Sequence, residues 1–309
     1  MVDKISSEEI KDALTRSGYL LESRLEKVLR ENGFYVEANS AYLDSETTKS
    51  RELDLYAMNG YVINPQYYES LYSNLIIEAV NNPQPIAFIT KESQIAPLYR
   101  EDIKVAGLPV KISDNEEWIY LPEFLEMDKY HHYCQGNIAT QYCSFTQKKN
   151  ESGKKEWMAS HEETHFNSFR TLSVAVEYHQ DVLYKAWVKD ANAINLEFYY
   201  PIVVVQGELL EVHPESDNIH IKTTNHVQFR RTSVIGSKEF NYQIDVITEH
   251  YLPTLLNMID NEMNTTVRLL AEQDSTLRSS IEKIVALAGQ NTNYRELKSA
   301  LSYHYQDEL

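Results

Sequence analysis

Glu78 stands in an otherwise apolar run, Leu75-Ile76-Ile77-Glu78-Ala79-Val80, and Glu52 and Asp54 alternate with Leu53 and Leu55 just upstream. A carboxylate inside a buried strand is costly unless it is paired, hydrogen-bonded or bound to a metal. Side chains two apart on a strand share a face. Glu52 therefore points with Asp54, and Glu78 points with Val80. If the two strands pair, three carboxylates meet beside one apolar side chain. Such a cluster repels itself unless a cation sits among its members, and the fitting occupant is a hard, oxygen-seeking divalent ion such as Mg²⁺ or Mn²⁺.

Two further stretches carry metal-binding residue types. His161-Glu162-Glu163-Thr164-His165 matches the H-E-x-x-H pattern, in which two histidines one helical turn apart hold zinc and the glutamate serves as base. Its surroundings argue for a helix start instead. Ser160 and Glu163 form a capping-box pair that puts His161 at the first helical position, and only Glu177 or Glu197 offers itself as a third ligand. His131, His132, Cys134 and Cys143 bring four nitrogen and sulfur donors close together. Their spacing fits no C-x-x-C zinc pattern, and a lone cysteine is more often a small buried residue. Two basic stretches, residues 146–156 and Arg230-Arg231, read as a solvated surface loop and as an ordinary ion-pairing strand end.

The elements that position these residues follow from periodicity. Leu20, Leu21, Leu25, Val28 and Leu29 form a helical stripe, with Ser17 as N-cap and Gly33 as terminator. Strands follow at 34–44, at 51–58 and at 75–80, with another short one at 85–90. Residues 91–158 read as an insertion. A helix over 161–189 carries the stripe Phe169, Leu172, Val176, Leu183 and Trp187. Strong strand sequence comes next, Ile194 to Val212, with a break near Gly207. A strand around 226–235 and a strand leading to a long helix after Thr248 and Pro253 complete the pattern, and 275–309 is a helical tail.

The 309 residues include 42% hydrophobic and 24% charged positions, as in a soluble domain, with nine glycines, nine prolines and two cysteines. The cysteines give no disulfide framework. No apolar run reaches the length of a membrane span, and the first twenty residues contain no signal-peptide core. A cytoplasmic protein without membrane contact is expected. The net charge of −17 excludes a general nucleic-acid coat, but a local basic groove on an acidic body remains compatible with it.

Arg51-Glu52-Leu53-Asp54 followed by the Glu78 strand resembles the PD-(D/E)XK nuclease superfamily, the restriction endonuclease-like fold. The resemblance extends to the first helix, where Glu22 stands at the place of a helical acid. It covers about half of the chain, with the 161–189 helix and the strand at Tyr199–Gly207 completing the core. It implies an α/β mixed sheet flanked by helices, one domain over 1–309, with 91–158 inserted and a helical C-terminus. It implies Asp54 and Glu78 as ligands of Mg²⁺ or Mn²⁺, with Glu22 assisting, Glu52 beside them, and nucleic acid, DNA in the first place, as substrate. A homodimer is one expectation for the assembly, and a prokaryotic, defence-related role is the analogy that the fold offers. The sequence departs from the pattern at Val80, where the family carries the lysine that orients the attacking water. A cation supplied from another element, with Lys49, Arg51, Lys91 and Arg170 as candidates, is one explanation. A scaffold that binds nucleic acid or protein without cutting is the other.

Overall fold

The computed structural model describes residues 4–17, 19–44, 47–92, 102–114, 117–149, 152–161, 163–187, 193–214, 218–235, 238–289 and 300. Helix α1 (Ser7–Ser17) precedes α2 (Tyr19–Glu31), whose Leu21, Leu25 and Leu29 repeat at four-residue spacing and bury one face. Ser17 is thus the last residue of one helix rather than the N-cap of the next. Gly33 takes φ +86°, and the Phe34 amide returns to the Leu29 carbonyl, closing α2 where a residue with a Cβ would be strained. Strands β1 (Tyr35–Asp44), β2 (Lys49–Asn64) and β3 (Glu69–Val80) then form an antiparallel meander. The buried strand expected over 75–80 is twelve residues long, because its N-terminal half pairs with the tyrosine-rich end of β2.

The stretch expected as an insertion does not stand apart from the sheet. The short strand expected at 85–90 is β4 (Ile86–Glu92), and 91–158 goes on to β5 (Lys104–Leu108), a small hairpin of β6 (Lys111–Asp114) and β7 (Glu117–Tyr120), helix α3 (Leu121–Phe124), β8 (Asn137–Lys149) and the start of β9 (Lys155–Ser160). The lysine-rich segment read as a loop carries the ends of two paired strands, since β8 and β9 pair from Ser144–Ser160 to Lys149–Lys155. Helix α4 (Glu163–Trp187) follows, and it begins two residues after His161. Strand β10 (Asn195–Val205) lies parallel to β3 along its whole length, from Asn195–Ser70 to Val205–Val80. The remaining elements are β11 (Leu209–Pro214), β12 (Ile219–Thr224), β13 (His226–Ile235), β14 (Lys238–Thr248), α5 (Leu252–Glu272) and α6 (Asp274–Gly289). Pro253 sits in the first turn of α5, as the missing amide of proline favours. Thr248 makes no side-chain cap and bonds to Asn225 instead.

Twelve described strands belong to one sheet, in the order β1-β2-β3-β10-β14-β13-β8-β4-β11-β12, with β5 beside β10 and β9 beside β8. Strands β10 and β11 are one run interrupted at Gln206–Glu208, so the path from β10 through β14, β13, β8 and β4 returns to the segment it left. The sheet must therefore curl. Gly207 marks the bend: its amide donates to Asn82 Oδ1 at 2.8 Å, and a Cβ there would lie 2.3 Å from the Asn82 carbonyl oxygen. One core lies between the sheet and α2, α5 and α6; the other lies on the face covered by α4, around Phe88, Phe169 and Phe229. No helix among the described residues is long and apolar enough to cross a membrane.

Candidate metal centre

The β2–β3 ladder runs from the β2–β3 turn to Leu55–Ile77. One step further, Asp54 and Glu78 face each other, and side chains take over from the ladder. Asp54 Oδ2 accepts the Ala79 amide at 2.8 Å, and the Glu78 carboxylate accepts the Asp54 amide. Ser168, on α4, also donates to Glu78. The two acids are thus locked by backbone donors at the strand ends, and a helix on one face of the sheet holds the second of them. Glu22 arrives from α2 and joins them electrostatically. Burial raises its pKa, and so does the neighbouring Asp54. Asp54 is raised by burial, against the Ala79 bond. Glu78 is raised well above the usual carboxylate range by burial and then by Asp54, with Glu22 adding to it. Three half-buried or buried acids, of which Asp54 raises the other two, define a place where positive charge is wanted.

Glu52 does not belong to this group. It is exposed and pairs with Ala41 of β1. The expectation of a shared face holds along one strand, but beyond Leu55 β2 is paired to β1 alone and carries Glu52 out to solvent. Glu22 takes the third position instead.

Val80 is 9% exposed and packs in the apolar cluster under α4, so no charged group stands in its place. Two arginines lie close by. Arg51 Nε and Arg170 meet the carboxylate of Asp44 at 3.3 and 3.5 Å, and Asp44 is 1% exposed. Tyr42 connects this pair to the acids: its hydroxyl bonds to Thr171, and it lies within electrostatic reach of Glu78, Asp44 and Arg51. Lys49 is exposed opposite Asp44, and Lys91 is on β4 opposite Ile138.

A second polar cluster lies on the other face of the sheet. His132 is clamped in its ring plane between two carboxylates, with Nδ1 2.8 Å from Glu262 and Nε2 3.1 Å from Asp245. Its backbone amide also donates to Glu262, at 2.7 Å. Both ring nitrogens face acceptors, so both carry protons. Burial alone would lower its pKa, but Glu262 and Asp245 raise it to about 10. Asp245 continues the row to His226 Nε2 at 2.8 Å. His131 stacks on His132 with ring centroids 5.0 Å apart, and burial lowers its pKa to about 4. Ligand atoms of His131, His132 and Glu262 lie within 4.8 Å of one another, a spacing that admits a metal ion. An ion there has to displace the proton that His132 holds toward Glu262.

The histidines come together, but with Glu262 and Asp245 rather than with the cysteines. Cys134 is buried in the α5-side core, and Cys143, on β8, pairs with Ala87 of β4. The missing partners carried a readable signal. Asp245 is an acid in the apolar run Ile244–Ile247, the same anomaly as Glu78, and Glu262 interrupts the buried stripe of α5. In the H-E-x-x-H stretch, His161 packs edge-on against Tyr142 at 5.1 Å, and the side chain of His165 lies outside the described residues. Arg230 pairs with Asp102 at 3.1 Å. No family model, no curated protein and no solved structure matches this chain.

Proposed function

We propose that this chain is a metal-dependent nuclease with a restriction endonuclease-like core, hydrolysing phosphodiester bonds at Glu22, Asp54 and Glu78. The observation that carries the reading is the reciprocal pair of bonds, Asp54 carboxylate to Ala79 amide and Asp54 amide to Glu78 carboxylate, with Glu22 brought beside them from α2. The order α2-β1-β2-β3-α4-β10, with β10 parallel to β3, agrees with that core. The donor set is all oxygen and mutually repulsive, which fits Mg²⁺ or Mn²⁺. Asp54 and Glu78 would hold the ion, with Glu22 assisting. A divalent ion bound there supplies Lewis acidity and neutralises charge on the phosphate.

The protein's own contribution is positioning. The Ala79 amide and Ser168 fix the two carboxylates. Arg51 and Arg170, gathered at Asp44, would offer positive charge to a phosphate in place of a lysine at position 80. DNA is the expected substrate. The test is cleavage of DNA and RNA with Mg²⁺ or Mn²⁺ by the wild type and by Asp54→Ala and Glu78→Gln. Loss of about 10²-fold or more in both variants is expected. A wild type that binds Mn²⁺ and nucleic acid but cuts neither assigns the scaffold to binding alone, with Val80 as the cause, and Val80→Lys then distinguishes a restorable site. A wild type that neither cuts nor binds the ion removes the proposal.

A further inference from the structure

Beyond Ser144 strand β8 has left β4 and keeps β9 as its partner, so the two run on as a ribbon to Lys149 and Lys155. Successive side chains of a strand alternate between faces, and directly opposed residues share one. On one face of the ribbon Lys148 lies opposite Glu156, and Thr146 opposite Met158. On the other, Lys149 lies opposite Lys155, Gln147 opposite Trp157, and Phe145 opposite Ala159. The first face balances its charges and the second does not. Like charges directly opposite each other destabilise a ladder. Lys149 and Lys155 are exposed, and neither pairs with an acid among the described residues. Trp157 is 56% exposed and makes no ring contact among the described residues. Phe145, its diagonal neighbour, is half-buried.

Two ammonium groups held against their own repulsion, with an open indole beside them, fit a ligand that joins anionic groups to flat rings. We propose that this face of the ribbon binds single-stranded nucleic acid, with Lys149 and Lys155 on phosphate and Trp157 stacked on a base. The diagonal from Lys149 to Trp157 spans about 7–8 Å, so one strand can lie across both. Every base has a π-face to offer, and binding without sequence preference follows. In a duplex those faces are stacked away from side chains, which selects the unpaired form. An anionic bilayer is the other surface of this charge. The residues between the two strands, Asn150-Glu151-Ser152-Gly153-Lys154, offer no apolar side chain to enter it. The net charge of −17 repels a strand from most of the body, which confines it to a local basic face such as this one. Binding at the ribbon stands on these observations alone; only its use in holding a substrate rests on the nuclease reading.

Fluorescence anisotropy of labelled oligothymidylate and oligouridylate, added to the full-length protein in chelator, measures binding apart from any cutting. Trp157→Ala should weaken binding about 5- to 150-fold, the loss of one stacked base, and Trp157→Phe should keep most of it. Lys149→Gln combined with Lys155→Gln should lower the salt slope of the affinity by about 1.4, at ~0.7 for each phosphate contact of a single strand. Lys148→Gln, on the balanced face, should leave affinity and slope unchanged. All these side chains are exposed, so an unchanged melting temperature certifies each variant. No binding by the wild type at about 50 mM salt, or binding that Trp157→Ala leaves within about twofold, overturns the proposal. Binding to phosphatidylserine vesicles in place of the oligonucleotides, lost in Trp157→Ala, assigns the ribbon to a membrane and overturns it as well. Cleavage by a wild type whose binding ignores the ribbon sinks this proposal and leaves the nuclease reading standing. Binding through the ribbon with no cleavage in Mg²⁺ or Mn²⁺ does the reverse.

Discussion

Replacing Asp245 by asparagine tests the buried row of charges with little change of shape. Asp245 is 0% exposed and lies between His132 and His226. The substitution leaves the His132 imidazolium with Glu262 as its one carboxylate partner and leaves His226 without its own. Breaking a buried, hydrogen-bonded ion pair from one side costs about 3–5 kcal/mol. Unfolding entropy of ~2.1 cal/mol/K per residue, over 309 residues, is about 0.65 kcal/mol/K. Asp245→Asn should therefore lower Tm by about 5–8 °C. The pH dependence carries a second signature. His132 rises from 6.5 unfolded to about 10 folded, so its stabilisation is complete below pH 6.5 and drains away as pH climbs toward 10. His131 falls from 6.5 to about 4, which makes folding less favourable as pH drops from 6.5 toward 4. Asp245 and Glu262 are both lowered, so their stabilisation is lost at still more acidic pH. The wild type should melt highest near pH 6.5, and the alkaline decline should flatten in Asp245→Asn. Calorimetric melts from pH 5 to 9 decide it. A variant that melts within about 1 °C of the wild type at pH 6.5, with the same alkaline slope, refutes the row.

Other substitutions probe other joints. Without divalent ions, Glu78→Gln should raise Tm: the carboxyl's raised pKa means that its favourable contribution is present below the unfolded value of 4.5 and lost as pH rises, and the amide removes that penalty. A lower Tm for Glu78→Gln in chelator at pH 7 would contradict the proximity of Asp54. Gly207→Ala should cost about 1–3 kcal/mol, because its Cβ meets the Asn82 backbone rather than a movable side chain, and chemical denaturation measures it. Leu25→Ala should cost about 2–5 kcal/mol, as Leu25 is 0% exposed between α2 and the sheet.

What could be read from residue order alone was what short-range physics dictates. Leu21, Leu25 and Leu29 announce α2, Gly33 its end, and the apolar run at Leu75–Val80 a buried strand with one anomalous acid. The pairing of Asp54 with Glu78 was legible because both stand in neighbouring strands joined by one turn. Glu52 was misplaced because alternation describes one strand and says nothing about where its neighbour stops. The curl of the sheet was hidden, since it depends on β4 and β11 meeting across the 116 residues from 93 to 208. Asp245 and Glu262 each stood out as an acid in an apolar setting, but their meeting at His132 was hidden for the same reason: each is 113 or more residues from it, and no periodicity links them. The stretch 146–156 read as a loop because lysines and glutamates on exposed paired strands look like coil.

Manganese binding tests the central claim most directly. Electron paramagnetic resonance of Mn²⁺ titrated into the full-length protein counts bound ions whether or not the protein cuts anything. One Mn²⁺ per chain is expected, lost in Asp54→Ala and in Glu78→Gln, and retained in Glu52→Ala. Mn²⁺ binding that survives both acid substitutions and disappears in His131→Ala would place the metal at Glu262 and contradict the account.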